Sequence, residues 1–599
     1  MDITNPWIDG LKLTLMGSVD KTINQHKIWE TPWYLYTWDK VSYEADGVTP
    51  KLNKVIRSTF SDARLTQSTG NKLNTNLTAM LSYDKNFGDH SLGIMAGVTK
   101  EEATADYIQA YRREYISTAI DQPFFGGATQ LISGGDNPGT DDNTYNRARL
   151  GYYGRVTYNY QEKYLVEFLW RRDGSSFFYE DNRFGFFPGI LVGWNISNEG
   201  WFSNSLSVFS RLKLRASYGT MGSDQVYDEN DELVEYAFLS SYLPGNYPIN
   251  SVVATTLIEG IVANKDFTWE RAKNANIGLD GAFFQNRLDF SLEYFHNTRT
   301  EMLIQKSGST PATTGIAPRL PPVNLGEMEN KGFEFTLGYN GQSGDFNYRI
   351  GINAGYNKNK IVFMDETTAN PEYQWQTGHP FEAYLAYKSA GAFLDQAAID
   401  NEELDYSEVT SKLIPGDMRF EDVSGDGKIN ADDRVRLDKS DVPNFNFGIT
   451  MNFQYKNFDL SILFQGATGA LLPFGTESGD IGNYMQYSHN NRWSIDNPSS
   501  TDPRLAIRGD TYYTGGNFGA NTYNLFNKNY IRLKNLELGY NVPMQASKKV
   551  GLSGLRIYVN GLNLVTWDKQ KIFDPESDNG AGSYYPQARV INTGVRITF

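Results

Sequence analysis

Asp422, Ser424, Asp426, Gly427, Lys428 and Asp433 are the residues of this chain whose types and spacing could do chemistry. In DVSGDGKINADD the two aspartates and the serine stand at positions 1, 3 and 5 of a loop. Gly427 allows a sharp turn, Lys428 offers its main-chain carbonyl at position 7, and Asp433 stands at position 12. This approximates the calcium loop D-x-[DN]-x-[DN]-G-x5-E, where oxygens converge on one ion. Ser424 replaces Asp or Asn, Asp433 replaces a bidentate Glu, and no flanking helices are evident. Two readings stay open: a Ca²⁺ loop, or the same Gly-Asp-rich fold held by Asx turns. No cofactor beyond that ion is required. Gly427-Lys428 is followed by Ile429 where a phosphate loop needs Ser or Thr, which excludes that motif.

Catalytic constellations are missing. His26, His90, His296, His379 and His489 are scattered without metal-ligand or triad spacing. Paired acids such as Glu101-Glu102 and Asp432-Asp433 read as solvated loop charges rather than as glycosidase carboxylates. The expectation is a protein that is not an enzyme. Trp375, Tyr484, Tyr487, Trp493, Tyr512, Tyr513 and Trp567 lie in expected loops or near their mouths. Aromatic faces stack on sugar rings, so these are candidate substrate contacts. The competing reading has them packing the loops or a partner interface.

The elements that would carry such loops are strands. VINTGVRITF at 590–599 places Ile591, Thr593, Val595, Ile597 and Phe599 on one face and Val590, Asn592, Gly594, Arg596 and Thr598 on the other. An apolar face backed by a polar one, ending on the aromatic Phe599, is how a bacterial outer-membrane β-barrel strand ends, with lipid outside and water inside. The same period-2 pattern recurs in Phe445–Tyr455, Phe458–Phe464, Phe333–Tyr339 and Tyr164–Trp170. Short turns near Asn86–His90, Gln161–Lys163, Phe284–Asn286, Gly341–Gly344 and Tyr455–Phe458 alternate with long connections. The longest connections run over about 391–444 and 467–528. The alternation fails over 357–395, where a further strand near Lys360–Met364 is expected. Breaks of phase after Leu533 and near Gly561 read as β-bulges or as strand ends leaving the membrane. On the order of 16–18 strands result. The fold class is all-β, an antiparallel transmembrane barrel.

Composition agrees. The chain has 599 residues, 40% hydrophobic and 14% aromatic, and no cysteine. Its mean hydropathy is -0.49. No run approaches the ~20 apolar residues of a membrane helix, but barrels escape that test because lumen residues dilute each strand. The net charge of -15 argues against nucleic acid. Neither a basic region nor an apolar stretch follows Met1. The expectation is therefore a missing N-terminus or one piece of a longer precursor.

Several stretches, in order, carry a resemblance. They include YLVEFLWRRDGSSFFYEDNRFGFFPGILVGWNIS at 164–197, KDFTWERAKNANIGLDGAFFQNRLDFSLEYFHNTRTEML at 265–303 and NLGEMENKGFEFTLGY at 324–339. PGDMRFEDVSGDGKINADDR at 415–434, NRWSIDNP at 491–498 and YYPQARVINTGVRITF at 584–599 complete the set. From about residue 70 onward the chain resembles the SusC/RagA-type, TonB-dependent transporters of Bacteroidota. The resemblance implies most strands of a 22-stranded barrel. The plug and about four to six first strands have no counterpart here, given the strand number of plugged transporters. It further implies TonB-driven import of oligosaccharides, or of peptides in the RagA manner. A SusD-like surface lipoprotein, the TonB complex, the lipid bilayer with lipopolysaccharide, and a dimer of SusCD pairs are the implied partners. Two other classes are weighed. A soluble glycan-binding β-protein would show blade-length repeats and no outward Phe and Tyr rows. An autotransporter barrel would need far fewer strands.

Overall fold

The computed structural model describes residues 2–599 other than 5–6, 135–143, 203–207, 226, 228–232, 234, 241, 250–251, 261, 307, 317–318, 476–478, 480–483, 513–515, 550, 573 and 578–584. One 18-stranded antiparallel sheet dominates it. Sixteen strands form the wall; Asp2–Thr4 and Gln130–Gly134 are short additions. In chain order the wall strands are β1 Leu11–Glu30, β2 Arg64–Phe87, β3 His90–Arg113, β4 Tyr145–Tyr160, β5 Tyr164–Ser175, β6 Phe184–Asn195, β7 Phe209–Ser223 and β8 Glu270–Phe283. There follow β9 Leu288–Ile304, β10 Val323–Ser343, β11 Phe346–Phe363, β12 Phe445–Tyr455, β13 Phe458–Thr468, β14 Tyr530–Asn541, β15 Gly554–Asp568 and β16 Val590–Thr598. Each pairs with the next, so the wall is a meander.

Turn chemistry sets the hairpins. At the short-turn end the backbone enters the left-handed region at Gly88, Gln161, Glu162, Phe284, Gln285, Asn286, Gly344 and Lys456. That twist matches the twist of the flanking strands and fixes the register of these five hairpins. The opposite end carries the long connections. The further strand expected near Lys360–Met364 does not exist as a separate element. Lys360–Phe363 is the end of β11, still paired with β10 through Glu327–Glu329. Polar Asn and Lys alternating with single apolar residues hid that continuation. One connection, 364–444, therefore replaces two, which restores the parity of short and long connections there. Register shifts fall at Leu463/Phe464 and Leu533/Asn535 within ladders that continue on both sides, so the phase breaks are bulges and not strand ends.

The wall is inside-out for a water-soluble protein. Leu73, Leu77 and Leu81 on β2 and Ile591, Val595 and Ile597 on β16 all face outward and are exposed, Leu77 by 62% and Ile591 by 69%. Phe87, Tyr158, Tyr164, Tyr455 and Phe458 are exposed near the short-turn end, as an interfacial aromatic girdle requires. The buried apolar clusters lie elsewhere, among the long connections. Tyr387, Phe393, Tyr406, Phe420 and Ile429 of connection 364–444 pack with Tyr512 and Phe518 of the connection after β13. Phe178, Phe267 and Trp269 form a second cluster, on Phe187 of β6. Outward Phe and Tyr rows on one continuous sheet leave no room for the soluble, bladed alternative.

The sheet has two edges. Among the described residues β16 pairs only with β15, and the far side of β1 pairs only over Lys12–Thr14. Among the described residues β1 and β16 do not pair with each other.

The two faces should respond oppositely to charge. Leu77→Arg, on the outward face of β2, is expected to cost about 2–4 kcal/mol of folding into bilayers near the midplane. Thr450→Arg, on the inward face of β12, should cost little. Urea titrations of both variants in lipid vesicles check this.

Candidate functional site: the lumen wall and the loop body above it

The loop at 422–433 is built from its own carboxylates. Asp433 is 0% exposed. Its Oδ1 accepts from the main-chain N–H of Val423 (3.0 Å) and Ser424 (3.1 Å), and its Oδ2 accepts from that of Asn430 (2.8 Å). Asp422 accepts from the N–H of Gly425 (2.7 Å) and Gly427 (2.9 Å), and from the Ser424 hydroxyl at 3.1 Å. Asp426 accepts from the Lys428 N–H at 2.9 Å. The bond from the Gly427 amide is the largest influence holding the Asp422 carboxyl below its ordinary pKa. Ile429 is buried and anchors the loop in the cluster beneath it. Among the described residues no three His, Cys, Asp or Glu side chains gather as a metal group would require. The fit to Ca²⁺ is therefore poor at Asp433, whose two oxygens are taken by three amides. Asx-turn closure accounts for the contacts of Asp422, Ser424, Asp426, Lys428 and Asp433.

The candidate aromatic contacts mostly serve the loops. Tyr512 is 4% exposed and belongs to the buried cluster, where burial pushes its phenol far above the ordinary pKa. It is a packing residue and not a surface for sugar. Trp493 donates its Nε1–H to the Leu394 carbonyl at 2.8 Å. The Trp375 indole donates to the Asn370 carbonyl at 3.0 Å, and Tyr484 donates to the Ala506 carbonyl at 2.8 Å. Tyr487 packs edge-on against Phe526 and keeps part of its ring exposed. Tyr513 lies outside the described residues. Trp567 lies in β15, opposite Ile531, and faces outward with it.

The Asp417–Arg504 ion pair ties the two longest connections together, and pairs within each brace them. Asp417 is buried; it meets Arg504 Nε at 2.6 Å, and Arg504 Nη1 meets Asp510 at 2.7 Å. Arg419 reaches Glu402 at 2.9 Å. Burial raises the Asp417 carboxyl above its ordinary pKa even against the Arg504 charge.

Beneath this body the inward face of the wall is polar. Arg149 grips Asp224 through two bonds of 2.8 and 2.9 Å, and Arg147 pairs with Glu235. Arg215 bridges Asp280 (3.0 Å) and Glu293 (2.6 Å). Arg556 joins Asp459 and Glu537 near the short-turn end. Asn276, Asn297, Asn330, Asn353, Asn357 and Asn446 continue this face around β8 to β12. Arg532, 2% exposed, holds Asp574 at 2.6 Å and Glu576 at 2.9 Å, which draws the last connection onto the inward side of β14. Glu101, expected as a solvated loop charge, lies in β3 opposite Asn76 on this same face. Such a surface exchanges hydrogen bonds with a hydrated solute and offers no activated nucleophile.

The comparisons with known proteins agree with this architecture. The family described as "TonB dependent receptor-like, beta-barrel" matches residues 18–564. TonB-dependent receptor P26 of Formosa agariphila is 30% identical over 519 residues, which cover 81% of this chain and 50% of that protein. TonB-dependent receptor SusC of Bacteroides thetaiotaomicron is 26% identical over 461 residues, covering 75% and 44%. The chain thus spans about half the length of the curated relatives it matches. Among solved structures, the RagAB peptide importer in its open-open state superposes with a TM-score of 0.74 at 23% identity, over 100% of this chain and 60% of that one. At that identity the likeness is one of fold.

Replacing Arg504 by Met leaves Asp417 buried without its counter-charge. The expected cost to the loop body is about 3–5 kcal/mol. Limited proteolysis should then cut within 364–444 while the wall stays resistant. Acid should act on the 422–433 loop. Because the Asp422 pKa is lowered on folding, its stabilisation is present above the ordinary carboxylate value of about 3.9 and is lost as pH falls through the folded value. Protection of this loop from protease should fade below about pH 4 for that reason, and Asp422→Asn should flatten the dependence.

Proposed function

Since the chain belongs to the TonB-dependent receptor-like β-barrel family, we propose that it forms the wall and loop body of an importer that carries nutrient oligomers across the bacterial outer membrane. Members of this family are transporters and not enzymes, and they reside in that membrane. The observation that carries the reading is the two-sidedness of the wall: exposed apolar rows outward, and amides and paired charges inward. Oligosaccharides are the proposed cargo. Their hydroxyls both donate and accept, as an inward face of alternating Asn, carboxylate and guanidinium groups demands. Peptides are the second reading, supported by the fold shared with a peptide importer.

The unpaired edges of β1 and β16 support a longer wall. Backbone N–H and C=O groups facing hydrocarbon each cost several kcal/mol, so open edges are not tolerated in a bilayer. Further strands and a plug, supplied by an N-terminal part of the transporter, would close the sheet and receive the pull of the TonB complex. The loop body tied together by Asp417 and Arg504 would give a SusD-like lipoprotein a firm rim, and two such pairs would form the dimer.

Uptake tests this. Cells carrying the intact transporter should accumulate a labelled neutral oligosaccharide, and deletion of the gene or a protonophore should reduce accumulation to background. Accumulation that survives both treatments would contradict the proposal.

A further inference from the structure

The outward face of β8 to β12 carries more than apolar rows. Ile277, Tyr294, Phe333, Tyr356 and Phe445 stand opposite one another and make one rung across the five strands. Tyr294, Phe333 and Tyr356 are exposed, and the first two rings lie 5.1 Å apart. On β11, Phe346 shares this face with Tyr356 and stands opposite Tyr455 of the short-turn girdle. Phe346 and Tyr356 are roughly 34 Å apart along the strand. At a tilt of about 40° that is a height of roughly 26 Å, which matches the ~25 Å apolar band of an outer-membrane barrel. The rung is therefore the second aromatic girdle, on the side of the long connections. Such barrels carry those connections outside the cell, so this girdle marks the outer leaflet.

Directly above the girdle the same face turns basic. The next rung reads Ala275, His296, Lys331 and Lys358, and the one after it Lys273, Thr298, Glu329 and Lys360. Four lysines thus meet one carboxylate, on a chain whose net charge is -15. Glu329 is already engaged by Lys331 at 2.7 Å and by His296 at 3.1 Å. Lys273, Lys358 and Lys360 are exposed and, among the described residues, have no ion-pair partner. Lys331 and Lys358 stand directly opposite each other, which costs stability unless an anion lies between them. Beyond the second rung Glu301 is held by Arg271 at 3.3 Å, and Glu327 stands opposite Phe363. Elsewhere on the outward wall Lys100 is matched by Glu102 at 2.6 Å. The unmatched positive charge is local to β8, β10 and β11.

We propose that Lys331, Lys358 and Lys360, flanked by Lys273, bind the phosphorylated headgroup of lipopolysaccharide in the outer leaflet, with its acyl chains on the aromatic rung and the apolar rows beneath. Charge and depth together select this occupant. Phosphate oxygens accept from ammonium donors, and strands about 4.8 Å apart let flexible lysine stems converge on one group. A dissolved anion would satisfy the lysines but leave Tyr294, Phe333 and Tyr356 uncovered one rung below. The site rests on the wall's place in the outer membrane and not on the cargo, so lipid binding stands even where the import reading fails.

Native mass spectrometry of the intact, delipidated transporter in detergent tests it with three probes: phosphorylated lipid A, the same lipid with its phosphate removed, and phosphatidylglycerol. The wild type should bind phosphorylated lipid A roughly tenfold or more tightly than either other probe. The triple variant Lys331→Gln, Lys358→Gln, Lys360→Gln should lose about tenfold or more of that affinity, and the corresponding triple arginine variant should keep it. Lys100→Gln, on another part of the outward wall, should leave it unchanged. Heat-modifiable migration on gels confirms that each variant is folded, and the comparison of probes on the wild type needs no variant. Equal binding of the dephosphorylated lipid overturns the proposal, because the lysines then read no phosphate. Equal binding of phosphatidylglycerol overturns it as well, since any anionic lipid would then serve. Undiminished binding by the triple glutamine variant would remove these lysines from the site and the proposal with them.

Discussion

A strand in hydrocarbon has nowhere to send its main-chain hydrogen bonds except to another strand, and this constraint organises the whole chain. It explains why the wall is a meander of hairpins, each strand bonded to its sequence neighbour. It explains why tight turns with left-handed residues such as Gln161, Glu162 and Lys456 sit at one end, since they fix the register without breaking the ladder. The same constraint singles out the far sides of β1 and β16, which, among the described residues, lack a continuous partner strand.

Burial follows a different rule here from that of a globular domain. The wall is one sheet thick, so its apolar rows cannot be covered by protein and are left to lipid. Hydrophobic packing that would ordinarily make a core moves into the long connections. Phe393, Tyr406, Ile429 and Phe518 bury one another above the wall, and the Asp417–Arg504 pair joins the two segments that supply them. The inward face is left to hydration and to ion pairs. Arg215 between Asp280 and Glu293 shows why such pairs are tolerated: polar neighbours and water spare them the full desolvation penalty.

What the sequence made legible was local. Alternation in Phe445–Tyr455 placed a strand, a turn and both faces, because period 2 needs only neighbours. The bulges after Leu533 and near Gly561 were legible as breaks in that period. The end of β11 was not, because Lys358, Asn359 and Lys360 dilute the outward row there. Glu101 passed for a loop charge since only its partners on β2 and β4 show that it faces the lumen. Arg149 and Asp224 lie 75 residues apart, and no local signal joins them. Tyr512 illustrates the converse error. An aromatic residue in a long connection reads as a contact for ligand, but this one is the core of the connection itself.

The central claim is that lipid wets one side of each strand and water the other. The chain has no cysteine, so single cysteines placed along 590–598 and 72–82 can each carry a spin label in vesicles. Relative accessibility to oxygen and to a water-soluble nickel complex is the measurement. The account predicts a period of two, with oxygen favoured at 591, 595, 73, 77 and 81 and nickel favoured at 592, 596, 74 and 76. Equal accessibility at odd and even positions, or nickel reaching both faces, would contradict it.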